Sequence, residues 1–303
     1  GAGVEQFEDV AHLSKQVKDR VRALKAIQLK SIEIESEFYQ KVHALEKEFE
    51  GKFALNAEER RQVVAGEREP TEEEKKQPLI HGLSEEEAKE IEDKTGEDTT
   101  EKGVPDFWLT VFKAAEGIQE MVTEEDEDVL KYLTDVTSTV ELSPPGFTIT
   151  FHFKENPYFT NTVLTKKYDL ELTIDAETPF EYDGPNITKA VGDVINWKDG
   201  KDLTKKVVKK KQKKGANAGN FITKTVGADS FFNFFSPPAP EASEEEASEV
   251  EELLRADFEV GQILRDHIIP RAVLFFTGEA AEMDMFDDYE DDEDDEDEEE
   301  DDE

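Results

Sequence analysis

From Val4 to Glu50 the chain holds neither glycine nor proline. Apolar side chains recur through that run at Val10, Leu13, Val17, Val21, Leu24, Ile27, Ile34, Phe38, Val42, Leu45 and Phe49, and the series reaches Phe53. With Ser31 as the one polar interruption, 43 residues are crossed in 12 steps, a mean spacing of about 3.6 that belongs to an amphipathic α-helix. At about 1.5 Å per residue this is a rod roughly 70 Å long, far beyond an ordinary globular helix. A period nearer 3.6 than 3.5 predicts a fairly straight helix rather than a supercoiled heptad seam. The stripe needs an equally long partner, and no second helix of that length is legible in the chain. A second copy of the same helix is the economical partner, because a two-fold axis lets one surface complement itself. The alternative is that the stripe packs along the chain's own globular part.

Charge narrows the partners. The chain carries 36 Lys and Arg against 76 Asp and Glu, a net charge of −40. Residues 287–303 hold 16 of those carboxylates, which leaves −24 on residues 1–286. A field of this sign repels DNA and anionic membranes and attracts basic proteins. Twenty phenylalanines argue against simple disorder. The absence of cysteine excludes disulfides, thiolate catalysis and Cys-based zinc sites. No run of 18 apolar residues and no signal-peptide pattern is present, and a cytosolic or nuclear setting is expected.

Four regions are expected along the chain. Residues 1–65 form the long helix and, after a kink or break at Gly51, a short second helix. Residues 66–103 are a charged, mobile linker in which Ser84-Glu85-Glu86-Glu87 has capping-box spacing. A globular domain spans 104–286, and 287–303 are a disordered acidic tail. Within the domain, Phe107, Trp108, Val111, Phe112, Ala115 and Ile118 form one helical face. Thr123 caps a following helix with Val129, Leu130 and Leu133 inward. After Pro144-Pro145-Gly146 the period changes to two through Phe147, Ile149, Phe151 and Phe153, and again through Tyr168, Leu170, Leu172 and Ile174; Ile195 and Trp197 suggest a third strand. Lys205, Lys206, Lys209, Lys210, Lys211, Lys213 and Lys214 precede a Gly-rich turn and a second β-pattern, which reads as a projecting hairpin. This basic block is a nuclear-import signal or nucleic-acid contact, or else a solubilising tip. Phe231, Phe232, Phe234 and Phe235 form an aromatic plug for the core, and a helical pattern follows from Leu253 to Ile268.

Particular strings add what periods cannot. Val104-Pro105-Asp106-Phe107-Trp108-Leu109-Thr110-Val111-Phe112, Glu155-Asn156-Pro157-Tyr158-Phe159-Thr160-Asn161, Asp229-Ser230-Phe231-Phe232-Asn233-Phe234-Phe235-Ser236-Pro237-Pro238 and Ile268-Ile269-Pro270-Arg271-Ala272-Val273-Leu274-Phe275-Phe276-Thr277-Gly278 resemble the nucleosome assembly protein family of histone chaperones. The resemblance implies an α+β fold: a long antiparallel dimerisation helix plus an α/β domain with a four-stranded antiparallel sheet and a projecting β-hairpin. It implies a homodimer seam through Val17, Val21, Leu24, Ile27, Ile34, Phe38, Val42, Leu45 and Phe49. It also implies an acidic surface for core histones, chiefly H2A–H2B and also H3–H4, whose carboxylates fall by position on Glu120, Glu124 and Asp229, with Glu245, Glu246 and Glu249 aligned more loosely. Asp126 and Asp128, on the same acidic helix as Glu124, join that candidate surface. The family's import signal falls on Lys205–Lys214, which implies an import receptor and shuttling between nucleus and cytoplasm.

No catalytic function is expected. The sequence has no phosphate-binding Gly-Lys-Ser/Thr loop, no His-Glu-x-x-His motif and five scattered histidines, so neither cofactor nor metal is implied. Direct high-affinity DNA binding and membrane association are not expected either. The competing reading is an acidic regulatory protein of the same fold that inhibits a protein phosphatase.

Overall fold

The computed structural model describes residues 3–239 and 246–282. Two short helical turns, Val4–Phe7 and α1 (Glu8–Ala11), precede α2 (Lys15–Ala65), a helix of 51 residues. The break therefore falls before the rod and not at Gly51. Ser14 starts α2 by accepting a bond from the Val17 amide on its Oγ at 3.3 Å. Gly51 is carried through as a helical residue, and a Cβ built there meets nothing within 4 Å. A single glycine costs a helix about 1 kcal/mol, too little to break a run held on both sides. No described helix is long and apolar enough to cross a membrane.

The strands β1 (Leu133–Leu142), β2 (Pro145–Phe153), β3 (Val163–Glu171) and β4 (Asn186–Gly192) form an antiparallel sheet in the order β1-β2-β3-β4. Two strand expectations are corrected. Leu133 opens β1 instead of closing the preceding helix, and Trp197 makes only an isolated bridge with Phe159, the fourth strand being β4. By contacts the chain divides into two compact units. Among the described residues, one contains the chain up to Gly51, Val140–Phe147 and Tyr168–Lys189; the other contains Lys52–Thr139, Thr148–Lys167 and the described residues from Ala190 on.

In the first unit, α2 uses two faces for different ends. Residues two positions apart lie about 200° apart around a helix axis. Ile32, Ser36 and His43 are buried. Ser36 Oγ donates to the Leu172 carbonyl at 2.8 Å, and His43 Nε2 meets the Glu141 carbonyl at 2.7 Å. Lys47 and Glu50 bond the carbonyl and the amide of Val140 at 2.9 and 2.6 Å. The face that packs on the unit's own strands is thus largely polar. The apolar stripe is left to solvent, with Leu24 64%, Ile34 67% and Phe38 58% exposed.

The second unit holds a closed aromatic core. Helix α4 (Phe107–Ala114) buries Phe107, Trp108, Leu109, Val111 and Phe112. A 3-10 turn, Phe231–Phe235, buries four phenylalanines, and the Phe151 ring lies 5.2 Å from Phe235 and 6.1 Å from Phe234. Such edge-on pairs add about 0.5–1.5 kcal/mol each to the area they bury. α6 (Ala247–Ile263) runs into a π-helical stretch, Leu264–Ile268, and α7 (Ala272–Thr277) ends at Gly278 with φ 85°.

A lysine lies inside this core. Lys166 occupies an inward position of β3 between Leu164 and Tyr168 and is fully buried. Its ammonium pairs with Asp257 of α6 at 2.6 Å, donates to the Phe234 carbonyl and sits 3.8 Å from the centre of the Phe234 ring. Burial pushes the Lys166 ammonium below its usual value, against the pull of Asp257. The lysine thereby ties strand, aromatic turn and helix together.

The segment between Gly66 and Gly103 leaves α2 and returns to its end. The Val104 amide bonds the Val64 carbonyl at 3.0 Å, and a Cβ on Gly103, whose φ is +71°, would stand 2.0 Å from that same oxygen. Within it, α3 (Glu85–Asp93) begins with the full capping box of Ser84 and Glu87.

Candidate functional site

Glu120 lies exposed in the 3-10 turn Gln119–Met121. The next turn opens α5 (Glu124–Leu130), whose first residues are all acidic. Thr123 caps it: the Asp126 amide donates to Thr123 Oγ1 at 3.2 Å and the Thr123 amide to Asp126 Oδ2 at 3.0 Å. Carboxylates in the first turn of a helix are favoured by its dipole, which lets four of them coexist there.

Their environments separate their roles. Asp126 is completely buried. Beyond the cap, it accepts from Ser230 Oγ at 2.6 Å and from the Phe231 amide at 2.7 Å. With its oxygens occupied and no exposed surface, it offers nothing to a partner, and the structure removes it from the candidate surface. It does something else there. By gripping residues 230 and 231 it brings the exposed Asp229 to the acidic turn that carries Glu124 and Glu125. Glu127 is also spent, in a 2.6 Å pair with Lys113. Asp128 is exposed, with Lys131 at 3.6 Å. Glu124 and Asp229 thus fall together, and Glu125, absent from the sequence-based set, stands exposed beside them. The signal for the loss of Asp126 was already in Thr123-x-x-Asp126, a capping-box spacing that commits the last residue to the backbone.

Glu246 and Glu249 are exposed at the start of α6, and Glu245 lies outside the described residues, as does the 287–303 tail. The lysines form their own element. β5 (Lys205–Lys211) pairs with β6 (Phe221–Gly227), register Lys205↔Gly227 to Lys211↔Phe221. Alternation puts Lys205, Lys209 and Lys211 on one face of this ribbon and Lys206, Lys210 and Lys224 on the other. Lys213 and Lys214 follow in the exposed turn.

A second charged group is half-buried near the end of α2. Arg60 donates to the carbonyls of Ile269 at 2.6 Å and Val136 at 3.3 Å and stands 5.0 Å from the Trp108 ring. Burial pushes the Asp135 carboxyl up, opposed by the charge of Arg60. Its partners belong to the core, which makes it an internal brace.

An exposed acidic surface on an aromatic α/β core, in a chain that also carries a long helix with an exposed apolar stripe, suits a protein that binds basic partners rather than one that transforms a substrate. The nucleosome assembly protein (NAP) family profile matches residues 19–279, and the chain belongs to this family of non-catalytic histone chaperones. It is 44% identical over 285 residues to nucleosome assembly protein 1-like 1-A of Xenopus laevis, covering 91% of this chain and 72% of that one. It is 40% identical over 306 residues to the human nucleosome assembly protein 1-like 4, covering 92% and 80%. Among solved structures it resembles nucleosome assembly protein 1 from Plasmodium knowlesi with a TM-score of 0.55 and 25% identity, over 88% of this chain and 98% of that one. Members of the family bind histones and generally shuttle between nucleus and cytoplasm.

Proposed function

We propose that the chain chaperones H2A–H2B on the folded acidic surface formed by Glu120, Glu124, Glu125, Asp128 and Asp229, with Glu246 and Glu249 as further contacts. The observation that supports this reading is the buried Asp126, which bonds Ser230 Oγ and the Phe231 amide and so ties the two residues after Asp229 to the acidic turn. Carboxylates held on a folded surface lose little conformational entropy on binding and can make charge-assisted hydrogen bonds to Lys and Arg. The carboxylates of 287–303 extend the attraction over distance. At physiological salt each of those is screened within about 8–10 Å, so they speed encounter more than they select the partner. H3–H4 is the second cargo on the same surface. Two copies join through the exposed stripe of α2, and Lys205–Lys214 serve an import receptor.

Titration with H2A–H2B across a salt series tests this reading. Deleting Asp287–Glu303 should weaken and slow binding without abolishing a specific complex. The triple variant Glu120→Lys, Glu124→Lys, Asp229→Lys, with the tail intact, should leave weak binding that no longer discriminates between histones and other basic proteins. If tail deletion alone abolishes binding and the triple variant binds normally, the folded surface is not the histone site. Replacing Lys209, Lys210, Lys211, Lys213 and Lys214 by Gln should reduce nuclear entry and leave histone affinity intact; unchanged entry refutes the import role.

A further inference from the structure

The acidic surface is not the only feature suited to a histone. At the end of β4 and just past it, the chain from Ala190 to Trp197, the aromatic turn at Phe235 and the start of β5 enclose a half-open groove of about 490 Å³. That volume lies within the range of ordinary ligand sites, about 300–1,000 Å³. Its apolar lining includes Val191, Val194, Trp197 and Phe235. Val194 is 80% exposed and Val191 50%, while Phe235 belongs to the buried core. The groove therefore has an aromatic base fixed by the core and aliphatic walls left in water.

Its charge gives the occupant. Asp193 and Asp202 line it against the single ammonium of Lys205. Both carboxylates are held in place through one oxygen. Asp193 Oδ2 accepts from the Thr165 amide at 2.8 Å, and Asp202 Oδ1 from the Thr204 amide at 2.9 Å and its hydroxyl at 2.5 Å. The remaining oxygen of each is available for an ammonium or guanidinium, at a position already fixed before binding.

We infer that this groove binds an extended histone-tail segment, seating one aliphatic side chain against Val191, Val194 and Trp197 while flanking lysines or arginines pair with Asp193 and Asp202. The inference rests on the histone-chaperone reading and adds to it a second site, for the tail rather than the histone fold. Cations alone would be held equally well by any acidic surface. The apolar seat is what selects a sequence, because a lysine run lacking the aliphatic side chain leaves the walls wet.

The full chain is titrated with two synthetic tail-like peptides, lysines flanking one central valine, and the same peptide with serine in its place. It is also titrated with H2A–H2B with and without tails. The valine peptide should bind about tenfold tighter than the serine peptide, the worth of one buried branched side chain. Val194→Lys, at a position exposed enough to leave the fold intact, should erase that difference and weaken tailed H2A–H2B, with no effect on tailless H2A–H2B. Val194→Leu should keep the preference. Equal binding of the two peptides, or a valine preference that survives Val194→Lys, overturns the inference. So does a change in the mass of the chain with no change in peptide affinity, which would give the groove to a second copy. Failure of the folded acidic surface would show separately, as tailless histones indifferent to the triple Glu120, Glu124, Asp229 reversal.

Discussion

The long helix and the aromatic core bury their side chains on opposite principles. Of the 51 residues in α2 only Ile32, Ser36 and His43 are buried, and Ser36 and His43 bond to the backbone carbonyls of Leu172 and Glu141. In α4, five residues of eight are buried, and the rings around Phe151 and Phe231 close on one another. The core packs its rings within one chain, and even the buried Lys166 finds Asp257 and the Phe234 carbonyl there. The rod instead leaves its apolar stripe facing water from Leu24 to Phe53. A surface of that length at helical period is an interface. The comparison sets a helix whose apolar stripe is exposed within the chain against a core that closes on its own rings.

The largest expected effect strikes the rod. Phe38→Asp with Leu45→Asp puts two charges into the stripe and should abolish the dimer at micromolar concentration, read by light scattering. Loss of helix signal would accompany it, while near-ultraviolet dichroism of the aromatic core persists. The core has its own weak point. Lys166→Ala removes the ammonium that pairs with Asp257 and bonds the Phe234 carbonyl, and should destabilise by about 3–5 kcal/mol, whereas Lys166→Met with Asp257→Leu should come close to wild type. Denaturant melts of the two variants check this, and equal losses would mean that the pair is not what holds β3 to α6.

Asp126→Asn distinguishes brace from contact. Loss of the charged acceptor should lower stability by about 1–3 kcal/mol and leave histone affinity nearly unchanged wherever the variant is folded. Glu124→Lys should do the reverse. The smallest effect returns to the rod: Gly51→Ala should stabilise it by about 0.5–1 kcal/mol, since no neighbour stands within 4 Å of the added methyl. A loss instead, seen in thermal melts, would show that a second chain packs on Gly51.

The sequence made the rod legible because a period of 3.6 sustained over 12 steps has no competing explanation. It hid the second face of the same helix. Ser36, His43, Lys47 and Glu50 read as ordinary surface residues until the strand carbonyls and amide they bond are in place. β2 and β3 announced themselves by alternation, though Lys166 sits among the inward positions and no pattern marks a lysine as buried. β1 escaped notice because Thr134, Thr137, Ser138 and Thr139 dilute its alternation, and β4 because most of its residues are exposed. The acidic turn was visible as charge, but charge alone does not separate Asp126, which holds the surface together, from Glu124, which faces solvent. Only the partners of each carboxylate do.

Sedimentation equilibrium of the full chain at high salt tests the central contrast most directly. An apolar seam is insensitive to screening, so the chain should run at twice its 34.4 kDa mass in dilute and in concentrated salt alike. A particle of 34.4 kDa with its helix content intact would contradict the account, because the stripe would then be stable in water with nothing covering it.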